Sequence, residues 1–363
     1  MNNEKLNLIH KLYSELDRNK NTAALISSDK NRFYLTGLNS SAGFVLIVDD
    51  CSYCLVDFRY FQAAKNIVKN CEVICFDNLN KTLTELFNKH KIKLLMIENE
   101  EMSLARAQML KKLCDKNEIE LLDDKTLDNI IQGLRMIKSE QEIESIREAQ
   151  KITQSSFEYA LDKLKIGMTE KELALEIEFH MRAKGAEAMS FNPIVLFGEN
   201  SALPHGIPSD RQLRKGDFVL MDTGCIVNGY CSDMTRTVAY GFADEKQKSV
   251  YNTVLDAQKQ AELKIKSGVK CSEIDKTARD IIYNAGYEGY FGHSTGHSVG
   301  LDIHESPRFS SYDDTILAEN IIMTVEPGIY LPGEFGVRIE DMVIVKEYGC
   351  EIITEAEHEL III

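Results

Sequence analysis

The stretch FVLMDTGCIVNGYCSDMTRT, Phe218 to Thr237, sets an acid inside an apolar run, follows it with a turn signal and returns with a second acid. Asn228-Gly229 suits the two left-handed positions of a tight hairpin turn, so Asp222 and Asp233 are expected to face each other across paired strands. A second stretch has the same form. Ile321 to Glu326 enters, Pro327-Gly328 and Pro332-Gly333 punctuate the loop, and Val337-Arg338-Ile339-Glu340 returns. Side chains alternate along a strand, which puts Arg338 on the face of Glu340, Thr235 on that of Asp233 and Thr324 on that of Glu326.

The flanking sequence repeats too. Gly167 follows one helical pattern, Thr169 and Glu172 open the next as a capping box, and Gly185 closes it; Gly268, Ser272, Asp275 and Gly286 recur in the same order. Upstream, LRMIKSEQE (Leu134 to Glu142) places another capping box at Ser139 and Glu142, ahead of a helix whose buried stripe is expected at Ile143, Ile146, Ile152, Tyr159 and Leu164. These repeats predict an α+β domain over residues 133–363 with an internal pseudo-twofold repeat and four carboxylates at its centre.

Four buried carboxylates cannot all stay ionised without counter-charge, because burial and mutual repulsion raise their pKa values. Divalent cations remove that penalty. GHSTGHSVGLDIHE, Gly292 to Glu305, adds three histidines between the acid pairs. One imidazole with four carboxylates is a mostly hard-oxygen donor set, which favours Mn²⁺, Co²⁺ or Fe²⁺ over a thiolate-rich zinc site. Two such ions about 3.5 Å apart, sharing carboxylates, make a hydrolytic centre. The same stretch fits G-x-S-x-G around Ser294, with Asp302 or Asp313 and His358 as conceivable partners of a serine hydrolase. Glycines crowd both sides of Ser294, which argues against the strand-to-helix elbow that this chemistry needs.

Residues 1–132 alternate helical and strand-like patterns: a polar amphipathic start to about Arg18, then apolar runs at Ala23–Ile26, Gly43–Val48, Cys54–Val56, Val73–Phe76 and Leu94–Ile97. This predicts a small α/β domain of structural purpose, without a dinucleotide fingerprint or P-loop. A zinc site built on Cys51, Cys54, Cys71 and Cys75 is disfavoured, since Asp49 and Asp50 read as turn residues and both pairs lie in or beside β-type runs.

The 363 residues are 44% hydrophobic and 27% charged, the balance of an ordinary globular protein of about two domains. With 42 Lys and Arg against 57 Asp and Glu the net charge is −15, which opposes binding to nucleic acid or anionic membranes. No apolar run approaches the ~20 residues that span a bilayer, and no signal peptide is visible. Nine cysteines then read as reduced thiols of a cytoplasmic protein.

The ordered set Asp222, Asp233, His297, Glu326 and Glu340 resembles that of the pita-bread metallopeptidases: aminopeptidase P, prolidase and methionine aminopeptidase. NRFYLTG (Asn31 to Gly37) and DFRY (Asp57 to Tyr60) resemble the creatinase-type amino-terminal domain of the aminopeptidase P branch. The resemblance implies that Asp222 chelates one metal, His297 and Glu326 bind the other, and Asp233 and Glu340 bridge both. It gives His205, in SALPHG, a substrate contact, and His304 a place at the scissile carbonyl. Glu326 would carry the proton to the leaving nitrogen, and His293, Tyr330 and Arg338 would line the substrate pocket. The implied activity is hydrolysis of the Xaa-Pro bond at the amino terminus of peptides by a homodimer holding two divalent ions, Mn²⁺ first. The form of SALPHG favours an Xaa-Pro aminopeptidase, with an Xaa-Pro dipeptidase (prolidase) as alternative. Creatinase keeps the fold without the metal ligands, so creatine hydrolysis is disfavoured here. A non-catalytic peptide-binding protein on the same fold would not need the five intact ligands.

Overall fold

The computed structural model describes residues 2–16, 21–48 and 51–363, which form two compact units, Met1–Arg135 and Met136–Ile363. The first is built on a six-stranded sheet in the order Glu72–Cys75, Cys51–Val56, Phe44–Val48, Thr22–Ile26, Leu94–Ile97 and Glu120–Leu122. Only Phe44–Val48 runs antiparallel to its neighbours. The continuous apolar runs of the central strands are buried along their whole length, as sheets covered on both faces require. The opening helix spans Asn2–Glu15; Arg18, Asp49 and Asp50 lie outside the described residues. Burial pushes the Cys54 thiol up to about 12 and the Cys71 thiol up to about 11. None of the nine cysteines is joined in a disulfide.

In the second unit the helix Glu140–Lys163 starts on the expected capping box, with Ser139 and Glu142 bonding each other's backbone N–H. Its buried stripe differs in part from expectation. Ile143, Ile146, Ala149, Thr153, Phe157 and Ala160 face inward while Ile152 and Tyr159 are half-buried, because the small and hydroxyl-bearing positions complete the 3.6-residue period. Thr169 and Glu172 form the second box as read. Its counterpart does not form: Lys270 is the N-cap of Cys271–Ile282, so Ser272 and Asp275 lie inside the helix. Ser272 donates to Asp314, and Asp275 is drawn inward to accept from Arg279 and Thr295. The four glycines of the repeat do share one task. Gly167, Gly185, Gly268 and Gly286 all have φ between 82° and 106°, the left-handed conformation that ends or follows a helix.

The two acid-bearing stretches have the same construction. Phe218–Thr223 pairs with Met234–Ala239, enclosing the small hairpin Cys225–Val227/Tyr230–Cys231, whose turn residues Asn228 and Gly229 have φ of 51° and 80°. Ile322–Val325 pairs with Asp341–Lys346, enclosing the hairpin Gly328–Leu331/Phe335–Arg338. The first pair belongs to a three-stranded sheet with Ile194–Phe197, the second to a five-stranded sheet that includes Gly296–Ser298. Helices Glu245–Lys264 and Cys271–Ile282 bury Tyr251, Val254, Ile274 and Ala278 in a core with Phe218, Phe291 and Phe309. Each large apolar side chain so buried contributes roughly 1.5–3 kcal/mol. Among the described residues, no helix is long and apolar enough to cross a membrane.

Candidate active site

Each acid sits at or beside the end of a paired strand. Asp222 lies near the end of Phe218–Thr223 opposite Thr235, and Asp233 immediately precedes Met234–Ala239. Glu326 directly follows Ile322–Val325, and Glu340 directly precedes Asp341–Lys346. Paired strands place these ends side by side, so all four carboxylates and His297 line one cavity of about 520 Å³.

Donor atoms of Asp233, His297 and Glu340 lie within 4.8 Å of one another. His297 Nε2 is 3.3 Å from Glu326 Oε1 and 3.7 Å from Asp233 Oδ2. The imidazole is neutral, since burial pushes its pKa down to about 3. Its Nδ1 faces the Ser298 carbonyl at 3.1 Å and so carries the proton, which leaves a bare Nε2 lone pair among carboxylate oxygens. Burial raises Asp233 well above the usual carboxylate range, with Glu340, Asp222 and Glu326 adding to the shift. Glu340 is raised by burial and then by Glu326 and Asp222. Glu326 rises to about 7, mainly through burial, while Arg338 opposes the shift and Asp222 adds to it.

Asp222 and Glu326 share the cavity but stand outside the tight group. Asp222 Oδ2 accepts from Arg338 Nη2, and Glu326 Oε1 accepts from Thr324 Oγ1 at 3.2 Å. The other oxygen of Asp222 is buried with no hydrogen-bond partner. An orphaned carboxylate oxygen beside converging lone pairs is what an absent cation would leave, so the five residues fit a site for hard divalent ions.

The remaining residues expected from the sequence surround this centre. Arg338 is buried and donates to Thr235 Oγ1, Tyr330 Oη and the Pro204 carbonyl besides Asp222. Burial works against its charge, but Tyr330, Asp222 and Glu326 hold it well above its ordinary value. Thr235 Oγ1 in turn donates a hydrogen bond to Glu340 Oε2 at 2.7 Å. Burial raises the Tyr330 phenol to about 12, so it stays protonated. It accepts from Arg338 at 2.7 Å and donates to His293 Nε2 at 2.9 Å, while His293 Nδ1 donates to the Ser294 carbonyl. His293 is therefore neutral, its pKa lowered to about 4 by burial and by Arg338. His205 and His304 are exposed on the cavity wall. The His304 ring meets that of His297 edge-on with centroids 4.4 Å apart, and its pKa is lowered by partial desolvation and by Arg308.

Ser294 also lines the cavity, but it follows a helical segment and precedes the strand Gly296–Ser298, the reverse of a nucleophile elbow. His358 bonds Asp341, and Asp313 accepts from the backbone of Arg308 and Thr315, so both are engaged elsewhere.

One functional group escaped the sequence reading. Arg308, the cross-strand partner of His297, lines the cavity, is exposed, and its guanidinium has no hydrogen bond or ion pair among the described residues. The available signal was a cation of the same strand register, shortly after His304, in a net acidic chain.

A buried carboxylate cluster with one bare imidazole, carried on two equivalent hairpins, defines a metal-dependent hydrolase. The chain belongs to metallopeptidase family M24, in the aminopeptidase P and prolidase branch, and is a metallo-exopeptidase. The Metallopeptidase family M24 model matches residues 144–347, and the Creatinase/Prolidase N-terminal domain model matches residues 9–137. An Xaa-Pro dipeptidase of Pyrococcus horikoshii is 38% identical over 97% of this chain and 98% of its own. Among solved structures, an Xaa-Pro dipeptidase from Bacillus anthracis is 37% identical with a TM-score of 0.94, covering 99% of this chain and 100% of its own. An X-Pro aminopeptidase from Thermotoga maritima is 36% identical with a TM-score of 0.88, covering 94% and 97%.

Proposed function

We propose that this chain is an Xaa-Pro dipeptidase, the alternative to the aminopeptidase form that SALPHG favours. The dipeptidase names of near full-length relatives support this form. The observation that carries it is Arg308, a cation on the cavity wall whose guanidinium has no partner among the described residues. A dipeptide brings a free carboxylate within one residue of the scissile bond, whereas a longer peptide brings a neutral amide there. A carboxylate held by a guanidinium gains a charge-assisted hydrogen bond that the amide cannot match.

Asp222, Asp233, His297, Glu326 and Glu340 would hold two divalent ions, Mn²⁺ in preference to Co²⁺ or Fe²⁺. When bound, such ions supply an activated water and polarise the scissile carbonyl. The chain's own residues do the rest. The neutral His304, whose side chain has no other hydrogen bond among the described residues, donates to the carbonyl oxygen as negative charge builds there. Glu326, with its raised pKa, takes a proton and passes it to the proline nitrogen, which leaves only when protonated. His205, on the same cavity wall, contacts substrate, and the Arg338–Tyr330–His293 chain holds the wall against which the pyrrolidine ring packs. The bond before proline has no N–H, so a site organised around the carbonyl suits it.

Residues 1–132 form the creatinase-type domain and 133–363 the catalytic domain, in a cytoplasmic homodimer. The test is kcat/KM for Ala-Pro, Ala-Pro-Ala and Ala-Ala-Ala at saturating Mn²⁺. Ala-Pro is expected to be cleaved best and Ala-Ala-Ala least. Preference for Ala-Pro-Ala restores the aminopeptidase reading, and equal cleavage of Ala-Ala-Ala refutes proline specificity.

A further inference from the structure

The two histidines that face substrate, His205 and His304, have no side-chain hydrogen bond among the described residues, so the position of each imidazole is set by its backbone. Each rides on a loop. Residues 299–304 connect the strands Gly296–Ser298 and Glu305–Phe309, whose last ladder pair is Ser298 with Glu305. Lys138, with its side chain 1% exposed, spans that pair: Nζ donates to Ser298 Oγ at 2.9 Å and Glu305 Oε2 at 3.2 Å. The other oxygen of Glu305 accepts from Asp302 N inside the loop. That carboxylate lies so close to Gly300 that a Cβ there would stand 2.5 Å from Oε1. One ammonium thus closes both feet of the His304 loop. Through Ser298, whose carbonyl accepts from His297 Nδ1, it also borders the candidate metal ligand.

The His205 loop is closed in the same way with the charges exchanged. Glu170 is fully buried. Its Oε1 accepts from Phe197 N at 2.7 Å and Asn200 Nδ2 at 3.0 Å, while Oε2 accepts from Ser209 N at 2.8 Å and Ser209 Oγ at 2.6 Å. Phe197 and Ser209 are the two feet of the segment that carries His205. That segment also contains Pro204, whose carbonyl meets Arg338.

We propose that Lys138 and Glu170 are positioning residues, each clamping both feet of one histidine-bearing loop so that His304 and His205 meet the substrate in fixed places. A buried ionised group that loses its hydrogen-bond or ion-pair partners is left uncompensated, and that cost favours the closed arrangement of each loop. A displacement of the order of 1 Å at a catalytic group is enough to cost about 10²-fold in rate. The catalytic part of this inference rests on the dipeptidase reading; the clamping itself does not.

The test is hydrogen exchange on the full metal-loaded chain, read by segment and paired with Ala-Pro kinetics. Lys138→Met is expected to speed exchange in residues 299–304 by about tenfold or more, leave 198–208 at the wild-type rate, retain the metals, and lower kcat by about 10²-fold with KM changed little. Glu170→Gln should free 198–208 and spare 299–304. Lys138→Arg should restore part of both losses. Should Lys138→Met fail to fold, Glu305→Gln removes the ion pair while keeping a hydrogen-bond acceptor, and is expected to loosen 299–304 alone. Wild-type exchange in the clamped segment, or acceleration spread evenly over residues 136–363, overturns the proposal. If the wild-type enzyme cleaves no Xaa-Pro substrate, the functional reading fails while the exchange pattern still decides the clamps.

Discussion

Removing the metals should make the chain progressively less stable, relative to its loaded form, as pH rises. In the metal-free protein Glu326 is raised from 4.5 to about 7, chiefly by burial, so the folded state binds its proton more tightly than the unfolded chain. The stability this contributes is fully present below 4.5 and is lost as pH rises through about 7. Between pH 5 and 8 the loss is about 2–3 kcal/mol for this one group. Asp233 and Glu340, also raised, act in the same direction. Other titrations do not obscure the effect. Asp341 is lowered and stays ionised throughout the window. His293 and His297 are depressed, so their contribution is lost as pH falls below 6.5; both are neutral with or without metal, and the difference cancels them. Bound ions keep the carboxylates ionised and paired, so the loaded enzyme escapes the loss. At roughly 2–4 °C per kcal/mol for a unit of this size, the gap in Tm between Mn²⁺-loaded and chelated protein should widen by about 5–10 °C from pH 5 to pH 8. Differential scanning calorimetry on both forms measures it. A gap that stays constant or narrows across that window would refute the assignment of these carboxylates to one buried, metal-compensated site.

Glu340→Gln removes a shared ligand charge and should lower metal content, by elemental analysis, and turnover together; wild-type values of both would remove Glu340 from the ligand set. His304→Ala should keep its metals and lose about 10²-fold in kcat, the scale for an oxyanion donor, and stoichiometric loss of a metal would make it a ligand instead. Arg308→Met should raise KM for Ala-Pro about tenfold or more while leaving Ala-Pro amide unchanged, since the amide offers no carboxylate; equal effects on both would disprove carboxylate recognition.

The sequence by itself determined that four acids would meet at the ends of paired strands, because its signals are local and periodic. Two apolar runs each broken by an acid, with turn residues at Asn228-Gly229 and Pro327-Gly328, can satisfy burial and backbone pairing only as hairpins, and a hairpin brings its strand ends together. Thus Asp222, Asp233, Glu326, Glu340 and the histidines of Gly292–Glu305 could be named from one dimension. The capping boxes at Ser139 and Thr169 were legible for the same reason, since both partners lie within one helical turn. Where a tertiary partner competed, local reading failed: Asp275 is not at the expected helix start but inside the helix, where it accepts from the remote Thr295 as well as from Arg279 one turn on. Only the tertiary structure decided which groups became partners across long stretches of chain. It tied Arg338 to Asp222 and Tyr330, set Lys138 between Ser298 and Glu305, and left Arg308 at the cavity with no partner among the described residues. Hydrogen bonding and ion pairing depend on distances in space, which the packing of sheets and helices sets and no spacing along the chain encodes.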